Sequence, residues 1–420
     1  MAISRRVFVK SGGLALVSVG LDPLFLARAA FAAYRPLPTA TARSRPVLVC
    51  LFQRGAVDGL NMIVPHGDPL YYRERPRIAV PNQDVIDLDG YFGLHPRLTA
   101  LKSLWDSKRL AAIHAIGSPD STRSHFDAQD YMESGTPGVK ATPDGWLNRY
   151  CQHDREHQDT PFRAVAFGPA LPRILAGTAP SLAIDDLEAF GMRAPQPAAR
   201  DRLTRAFGEL YAGSATGLLS TSSREAFEAI QLLKQVDPTR FPPANGADYP
   251  RGKLGKSLLQ IAQLIKAGVG VQIAFVDVTG WDTHVNQGAS EGQLAARLAE
   301  LGQALAAFAQ DLGPELDNVV VLTMSEFGRT VHENGNSGTD HGHATAMLVM
   351  GGGVNGGKVL GRWPGLDPAD RFEGRDVAVT TDFRDLFAEI LARHLGARDL
   401  ADVFPGFTPD PARFPGAISG

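Results

Sequence analysis

The chain has 420 residues, of which 44% are hydrophobic and 21% are charged, a composition typical of a globular protein with a substantial core. The formal net charge of −3 gives no global basic field, which argues against a nucleic-acid-binding protein and against attachment to an anionic membrane. The two cysteines, Cys50 and Cys151, are too few for a disulfide framework, and we expect Cys50 to be a buried thiol.

The N-terminus has the parts of a secretory signal peptide. Arg5 and Arg6, with Phe8 two residues on, precede a mildly apolar stretch over residues 12–26, and small residues follow it. The arginine pair resembles the twin-arginine export signal. A membrane span needs about 20 apolar residues. The stretch is too short and interrupted for that, so we expect no stable span after cleavage. We predict a twin-arginine signal peptide over residues 1–33, read by the twin-arginine export machinery, and a periplasmic or extracellular mature protein.

Short apolar runs recur further along the chain and predict buried strands. Residues 34–46 are rich in proline, threonine, alanine and arginine, and we interpret them as a linker. The apolar runs that follow have the pattern of strands in a parallel sheet that is covered on both faces. They lie at residues 47–52, 110–116, 164–167, 271–276, 319–324 and 346–350.

Amphipathic helices are predicted between these strands. The clearest one has apolar residues at steps of three and four over residues 294–312, and Gly313 follows as a C-cap. A last helix is predicted over residues 383–395. Strands that alternate with helices predict an α/β fold with a mostly parallel central sheet and helices on both faces. We expect one such domain over residues 47–410, with a helical, loop-rich insertion around residues 195–255.

Polar residues cluster at the ends of the predicted strands. Ligands bind open α/β sheets outside the carboxyl ends of the strands, so residues in these loops are candidates for a site. Arg54 and Asp58 follow the first strand, and Asp282 and His284 follow the strand at 271–276. Glu326 and Arg329 follow the strand at 319–324. Asp340, His341 and His343 precede the strand at 346–350.

The carboxylates and imidazoles among these candidates predict a divalent metal site that holds zinc, manganese or calcium. Such an ion would act as a Lewis acid on an anionic ester, and Arg54 or Arg329 would hold the phosphate or sulfate group. The candidate ligands are Asp58, Asp282, His284, Glu326, Asp340, His341 and His343.

Four of these residues also have a structural interpretation. Asp58 precedes Gly59, and an Asp-Gly pair is typical of a turn. Asp282 and His284 would form a hydrogen-bonded pair within one loop. Glu326 would pair with a nearby arginine in a solvated turn.

Ser124 opens a predicted helix that runs to about Ser134 and ends at Gly135. A hydroxyl at a helix N-terminus is placed to attack an anionic centre, because the free N–H groups of the first turn favour negative charge. Ser124 is therefore a candidate nucleophile. The alternative is a capping box, in which Ser124 and Asp127 satisfy the first turn of the helix.

The motifs that contain these candidates resemble a known family. Together with the arginine pair at the start, the likeness rests on residues 52–60, 124–129, 280–284, 325–330 and 340–342. These segments look like those of the exported bacterial proteins catalogued as domain of unknown function 1501. The likeness runs from about residue 47 to residue 407, and the family name implies no activity.

The order of the motifs also resembles, more distantly, the alkaline phosphatase and sulfatase superfamily. This resemblance implies an alkaline-phosphatase-like sheet and a set of matching positions. Asp58 matches the first-strand Asp, and Ser124 matches the nucleophile. Asp282 and His284 match the Asp/His loop, and Glu326 matches the Asp of the Asp-His dipeptide. His341, with Asp340 beside it, matches the last His. Phe327 stands where the superfamily dipeptide has His, which removes one metal ligand and implies a single metal or a degenerate site.

Two functions follow from these observations. The first is a metal-dependent hydrolase that acts outside the cytoplasm on a phosphate or sulfate ester, either a small anionic ester or a polymer. The second is a non-catalytic binding or envelope-assembly protein on the same scaffold. The pairs of Asp and His at the strand ends favour the hydrolase, whereas Phe327 favours the binding protein.

Overall fold

The computed structural model describes residues 45–154, 160–187, 229–230, 232–233 and 236–419. The predicted signal peptide, nearly all of the predicted linker and much of the predicted insertion lie outside these residues. None of the helices in the described ranges is long and apolar enough to cross a membrane.

Twelve strands form two sheets in the described residues. The strands are β1 (Val47–Arg54), β2 (Ile63–Val64), β3 (Ile86–Asp87), β4 (Gly93–Leu94), β5 (Leu110–Gly117), β6 (Ala164–Phe167), β7 (Leu182–Ile184), β8 (Ile273–Thr279), β9 (Val319–Met324), β10 (Thr345–Gly351), β11 (Lys358–Leu360) and β12 (Thr381–Asp382). The larger sheet has nine strands in the order β11-β5-β10-β9-β1-β8-β6-β7, with β12 beside β5, and β2, β4 and β3 form the smaller sheet.

Nine α-helices accompany the sheets in the same residues. They are α1 (Gly59–Met62), α2 (Pro69–Glu74), α3 (Lys102–Asp106), α4 (His125–Ser134), α5 (Trp146–His153), α6 (Lys253–Lys266), α7 (Gln293–Leu312), α8 (Phe383–Arg393) and α9 (Leu400–Val403). The long helix expected over residues 294–312 is α7, and the last predicted helix is α8, which ends two residues earlier than expected.

β1 lies at the centre of the large sheet and is buried on both faces. It runs parallel to β8 and β9, and its side chains alternate between two cores. Val49 and Leu51 pack in the core that contains α6 and α7, whereas Cys50 and Phe52 pack in the core that contains α5 and α8. A fully buried side chain of this size stabilises the fold by about 1.5–3 kcal/mol. The continuous apolar run of β1 is therefore explained by helices on both faces of the sheet.

One strand of the large sheet runs against the others. β10 is antiparallel to both of its neighbours, β5 and β9, whereas β6, β8, β9 and β1 pair in parallel. The predicted mostly parallel sheet with helices on both faces is thus confirmed, with β10 as the exception. Because β10 is reversed, its first residues lie at the edge where β1, β5, β8 and β9 end. The loop that enters β10 therefore meets the loops that leave those strands.

The loop after β9 packs tightly against the entry to β10. The Gly328 N–H donates to the His343 carbonyl over 2.8 Å, and the Gly342 N–H donates to the Gly328 carbonyl over 2.8 Å. A Cβ atom at Gly328 would lie 1.9 Å from the Ala344 carbonyl oxygen. No side chain fits at this position without moving the backbone, so glycine is required for the two loops to pair.

Candidate metal centre

Three side chains from three different loops converge at this edge of the sheet. His125 is the first residue of α4, Asp282 lies in the loop after β8, and His341 lies in the loop before β10. Each offers one ligand atom, and these atoms all lie within 4.8 Å of one another. Imidazole nitrogens and a carboxylate oxygen are ligands that zinc and related divalent ions accept.

The His125 ring is oriented by a buried carboxylate. Nδ1 lies 2.8 Å from Oε1 of Glu326, so the carboxylate accepts its proton, and this hydrogen bond raises the pKa of His125. Nε2 is buried, has no hydrogen-bond partner, and lies 3.5 Å from Oδ2 of Asp282. An imidazole held at one nitrogen by a carboxylate, with the other nitrogen free, is the usual arrangement of a metal-binding histidine. The orphaned Nε2 fits a cation at this position.

His341 repeats this arrangement with a backbone partner. Its Nδ1 lies 2.9 Å from the Arg123 carbonyl, and its Nε2 lies 3.4 Å from Oδ1 of Asp282. Burial lowers the pKa of His341, which favours the neutral ring that a metal requires.

His284 lies next to this group as a further donor. Its Nε2 is 2.9 Å from Nε2 of His341 and 2.9 Å from Oδ1 of Asp282. Its Nδ1 faces Oδ1 of Asp340 over 3.4 Å, and Asn334 donates to the same oxygen over 3.0 Å. Two ring nitrogens so close together need either one shared proton or one shared cation between them. His284 is therefore placed to be the fourth ligand, and Asp340 is placed behind it.

Asp282 is held ionised by its surroundings. Burial alone would raise its pKa, but the hydrogen bond from Arg329, together with His284 and His125, lowers the pKa overall. Arg329 donates to Oδ1 of Asp282 over 2.6 Å and is itself fully buried. Its other donors bind carbonyl groups of the chain, those of Gly55, Ala56, Trp281 and Thr339. Arg329 thus positions Asp282 and the loop after β1, and to hold a phosphate or sulfate, as the sequence suggested, it would have to leave these partners.

Glu326 is completely buried and supports the site from behind. Its carboxylate accepts hydrogen bonds from the Gly55 N–H, from Nδ1 of His125 and from Gln129, each over 2.8 Å, and from Ser325 over 3.1 Å. Burial alone would raise the pKa of Glu326, but His125 and Gln129 lower it. The predicted ligand Glu326 therefore has its oxygens occupied, and it contacts the cluster through His125.

A family model described as "Protein of unknown function (DUF1501)" matches residues 105–406. The chain belongs to this family. The resemblance that the motifs suggested is thereby confirmed, and His125, Asp282, His284 and His341 all lie within the matched DUF1501 residues. Among curated proteins, none matches the chain.

Several solved structures match the DUF1501 chain at low identity. The zinc complex of the C-terminal periplasmic domain of EcEptC from Escherichia coli is 10% identical over 76% of this chain and 77% of that chain, with a TM-score of 0.36. The PsFucS1 sulfatase from Pseudoalteromonas sp. is 13% identical over 90% and 73%, with a TM-score of 0.35. The phosphonate monoester hydrolase SpPMH from Silicibacter pomeroyi is 10% identical over 87% and 78%, with a TM-score of 0.37. Such low values carry no conclusion about activity, which has to be inferred from the site itself.

Arg54, which precedes the DUF1501 match, is engaged with carboxylates. Its guanidinium binds Asp277 through Nε, and its Nη1 lies 2.9 Å from Glu133 and 3.0 Å from Gln129. Gln129 in turn donates to Glu326, so Arg54 connects to the cluster through two other side chains. The role expected for Arg54, to hold a phosphate or sulfate, would require it to leave these partners.

Asp58, the other candidate that precedes the match, forms a buried ion pair. Its Oδ2 lies 2.6 Å from Nη1 of Arg75 and accepts from Gln287 over 2.7 Å, and its Oδ1 caps α1 at the Asn61 N–H. Both side chains of the ion pair are almost fully buried. These contacts place Asp58 in a buried polar network outside the group of His125, Asp282 and His341.

His343 and Ser124 also lie outside the cluster. Nε2 of His343 contacts the Ser118 carbonyl over 3.1 Å, and its ring packs on Phe372 with the centroids 4.2 Å apart. Ser124 occupies the N-cap position of α4, but it is exposed and its side chain makes no capping hydrogen bond. The expected capping box is therefore not formed.

Sequence reasoning missed His125. The sequence indicates Ser124 as a nucleophile or cap, whereas the next residue, His125, begins the helix that follows β5. A histidine at the start of a helix after a strand end was the available signal.

Phe327 packs against two of the candidate ligands, with its ring centroid 5.0 Å from that of His125 and 5.0 Å from that of His341. The Phe327 ring thus borders the cluster with an apolar side chain.

Proposed function

We propose that this DUF1501 protein is an exported, metal-dependent hydrolase that acts on a phosphate or sulfate ester. The observation that supports this most directly is the buried Nε2 of His125, which has no partner and faces Asp282 and His341. A buried nitrogen without a hydrogen bond costs about 1–3 kcal/mol unless a ligand satisfies it. A bound cation would remove that cost.

The donor set favours zinc or manganese over calcium. His125, His341, His284 and Asp282 offer three nitrogens and a carboxylate, whereas calcium takes six to eight oxygen ligands. When bound, such an ion supplies Lewis acidity at an ester oxygen and lowers the pKa of a coordinated water.

The chain's own residues have separate tasks in this proposal. Glu326 and the Arg123 carbonyl hold the Nδ1 protons of His125 and His341, which directs both Nε2 lone pairs to one point. Arg329 keeps Asp282 ionised. Because Ser124 is exposed and has no base beside it among the described contacts, we propose water as the attacking group.

Export and location remain part of the proposal. The arginine pair at Arg5 and Arg6, with the apolar stretch behind it, supports recognition by the twin-arginine machinery, which would deliver the mature domain to the periplasm or the outside of the cell.

A hydrolysis assay with metal removal and restoration tests this function. The mature protein is assayed on bis-p-nitrophenyl phosphate, p-nitrophenyl phosphate and p-nitrophenyl sulfate, after dialysis against a chelator and again after zinc or manganese is restored. We expect hydrolysis of at least one ester, its loss without metal and its return with metal. His341→Ala should abolish it, whereas His332→Ala, which removes an exposed histidine that contacts Glu74, should not. Folded, metal-loaded protein that hydrolyses none of the esters would contradict the hydrolase and support the binding role.

A further inference from the structure

Two exposed hydrophobic side chains directly follow histidines of the candidate metal centre. In the described part of the chain, the large hydrophobic residues that are exposed are Phe126, Val139, Leu171 and Val285. Phe126 is 90% exposed and directly follows the ligand His125. Val285 is 50% exposed and directly follows His284. Single exposed apolar side chains are ordinary on a protein surface, so Phe126 and Val285 matter here because each directly follows a histidine of the cluster.

Val139 and Leu171 are tied to the same helix as Phe126. Val139 precedes Lys140, whose ammonium lies 2.6 Å from Asp127 of α4. Leu171 lies in the loop after β6, two residues before Arg173, which donates to Asp130 of α4 over 3.0 Å. Val139 and Leu171 thus lie within two residues of an ion pair with α4, the helix that begins with His125.

The arginines near the cluster have little positive charge to offer a ligand. Those that touch the ligands or their supporting residues are Arg54, Arg123, Arg329 and Arg375, and each is paired with at least one carboxylate. The pairs are Arg54 with Asp277 and Glu133, Arg123 with Glu373 and Asp376, Arg329 with Asp282, and Arg375 with Asp376. A bound anion would be met mainly by the metal, and Asp282 already offsets part of the charge of a divalent ion.

We propose that the substrate is a monoanionic ester that carries an apolar group, and that Phe126 and Val285 contact this group. This inference rests on the proposed function and adds the class of ester. A single negative charge matches one divalent ion beside Asp282 better than the two charges of a phosphate monoester do. The apolar group would cover the Phe126 ring, which otherwise stays in water next to a ligand.

The size of the exposed surface favours part of a small molecule as the occupant over another protein. A stable protein interface buries about 800 Å² on each partner, whereas an aromatic side chain buries about 150–250 Å². Phe126 and Val285 offer an area on the scale of one aryl or acyl group. Specificity would thus come from the residues that directly follow two of the metal ligands.

Calorimetric binding of inert anions to the zinc-loaded protein tests this inference without using turnover. The ligands are dimethyl phosphate and diphenyl phosphate, which are monoanions, and phenyl phosphate, which is a dianion at pH 8. We expect diphenyl phosphate to bind most tightly. Phe126→Ala should weaken it about three- to tenfold, leave dimethyl phosphate unchanged and leave the zinc content unchanged. Phe126→Leu should restore most of the affinity, because it keeps an apolar side chain.

Other outcomes would overturn the inference. Equal binding of diphenyl and dimethyl phosphate, or no effect of Phe126→Ala, would remove the apolar contact. Tighter binding of phenyl phosphate would remove the preference for a single charge. Binding of the wild-type protein to phosphatidylcholine vesicles that Phe126→Ala abolishes would assign these residues to a membrane instead. A protein that binds diphenyl phosphate as expected but hydrolyses no ester would contradict the proposed function while leaving the inferred ligand class in place.

Discussion

The site depends on how individual rings are oriented. His125 and His341 each have Nδ1 fixed by an acceptor, Glu326 in one case and the Arg123 carbonyl in the other. Each ring therefore presents Nε2 to the cluster. A ring that is already fixed loses less conformational entropy when a metal binds. A carboxylate partner also makes the imidazole more basic. Glu326 would act on a bound metal through His125 in this way.

Substitution of Glu326 tests its supporting role. Glu326→Gln keeps the size of the side chain but removes the negative charge behind Nδ1 of His125, and we expect zinc affinity to fall about 10- to 100-fold. Competition with a chromophoric chelator measures this. Glu74→Gln serves as a matched control, because Glu74 pairs with Arg371 and His332 and not with the cluster. Unchanged affinity in folded Glu326→Gln would show that the carboxylate does not act on the metal.

The sequence identified some of the converging residues and not others, for a physical reason. Asp282, His284 and His341 were candidates because they lie at strand ends, and the topology brings them together. Asp58 looked the same in the sequence, yet Arg75 and Gln287 both bind its Oδ2. Which partner a carboxylate finds depends on residues far away in the chain, and spacing does not contain that information.

At the scale of elements, the sequence predicts where the strands lie, but it does not predict that β10 runs antiparallel to its neighbours. The continuous apolar runs of β1, β5, β8 and β9 predict burial, because both faces of the sheet are covered. β10 has the same kind of run although it is antiparallel to β5 and β9. A fully buried strand has the same apolar pattern whether it runs parallel or antiparallel to its neighbours. The reversal of β10, which brings His341 to the site, therefore could not be predicted from the hydrophobic pattern.

α8 contains a carboxyl group whose burial should make stability depend on pH. Burial raises the pKa of Asp385 to about 6, above the ordinary value of 3.8, although Arg413 lies 3.5 Å away. Because the folded pKa is the higher one, the folded state loses stability as the pH rises from about 3.8 to about 6, and no further loss follows above that.

Replacement of the Asp385 carboxyl group by a neutral group should therefore stabilise the folded state at high pH only. We expect Asp385→Asn to raise the free energy of unfolding by on the order of 1 kcal/mol at pH 8. We expect no such gain at pH 4, where the group is mostly protonated. Urea denaturation at both pH values measures this, with the exposed Asp402→Asn as the control. An equal effect at the two pH values would mean that burial of the charge is not the cause.

At the scale of the whole molecule, the chain combines a predicted N-terminal export signal with a DUF1501 domain. We expect replacement of Arg5 and Arg6 by lysine to block export. Fractionation of cells with an antibody to the mature domain should then find full-length precursor in the cytoplasm. Arg28→Lys, later in the same segment, is the matched control and should be exported normally. Periplasmic, processed protein from the Arg5→Lys/Arg6→Lys variant would contradict the predicted route.

The metal content of the mature protein tests the central claim most directly. Protein purified from the periplasm without a histidine tag is analysed for elements, as the wild type and as the His125→Ala and His332→Ala variants. We expect about one zinc or manganese ion per chain in the wild type and in His332→Ala. We expect a large loss of metal in His125→Ala with an unchanged circular dichroism spectrum. Folded wild-type protein that neither carries nor takes up a divalent metal, or His125→Ala protein that keeps the full amount, would contradict the metal centre.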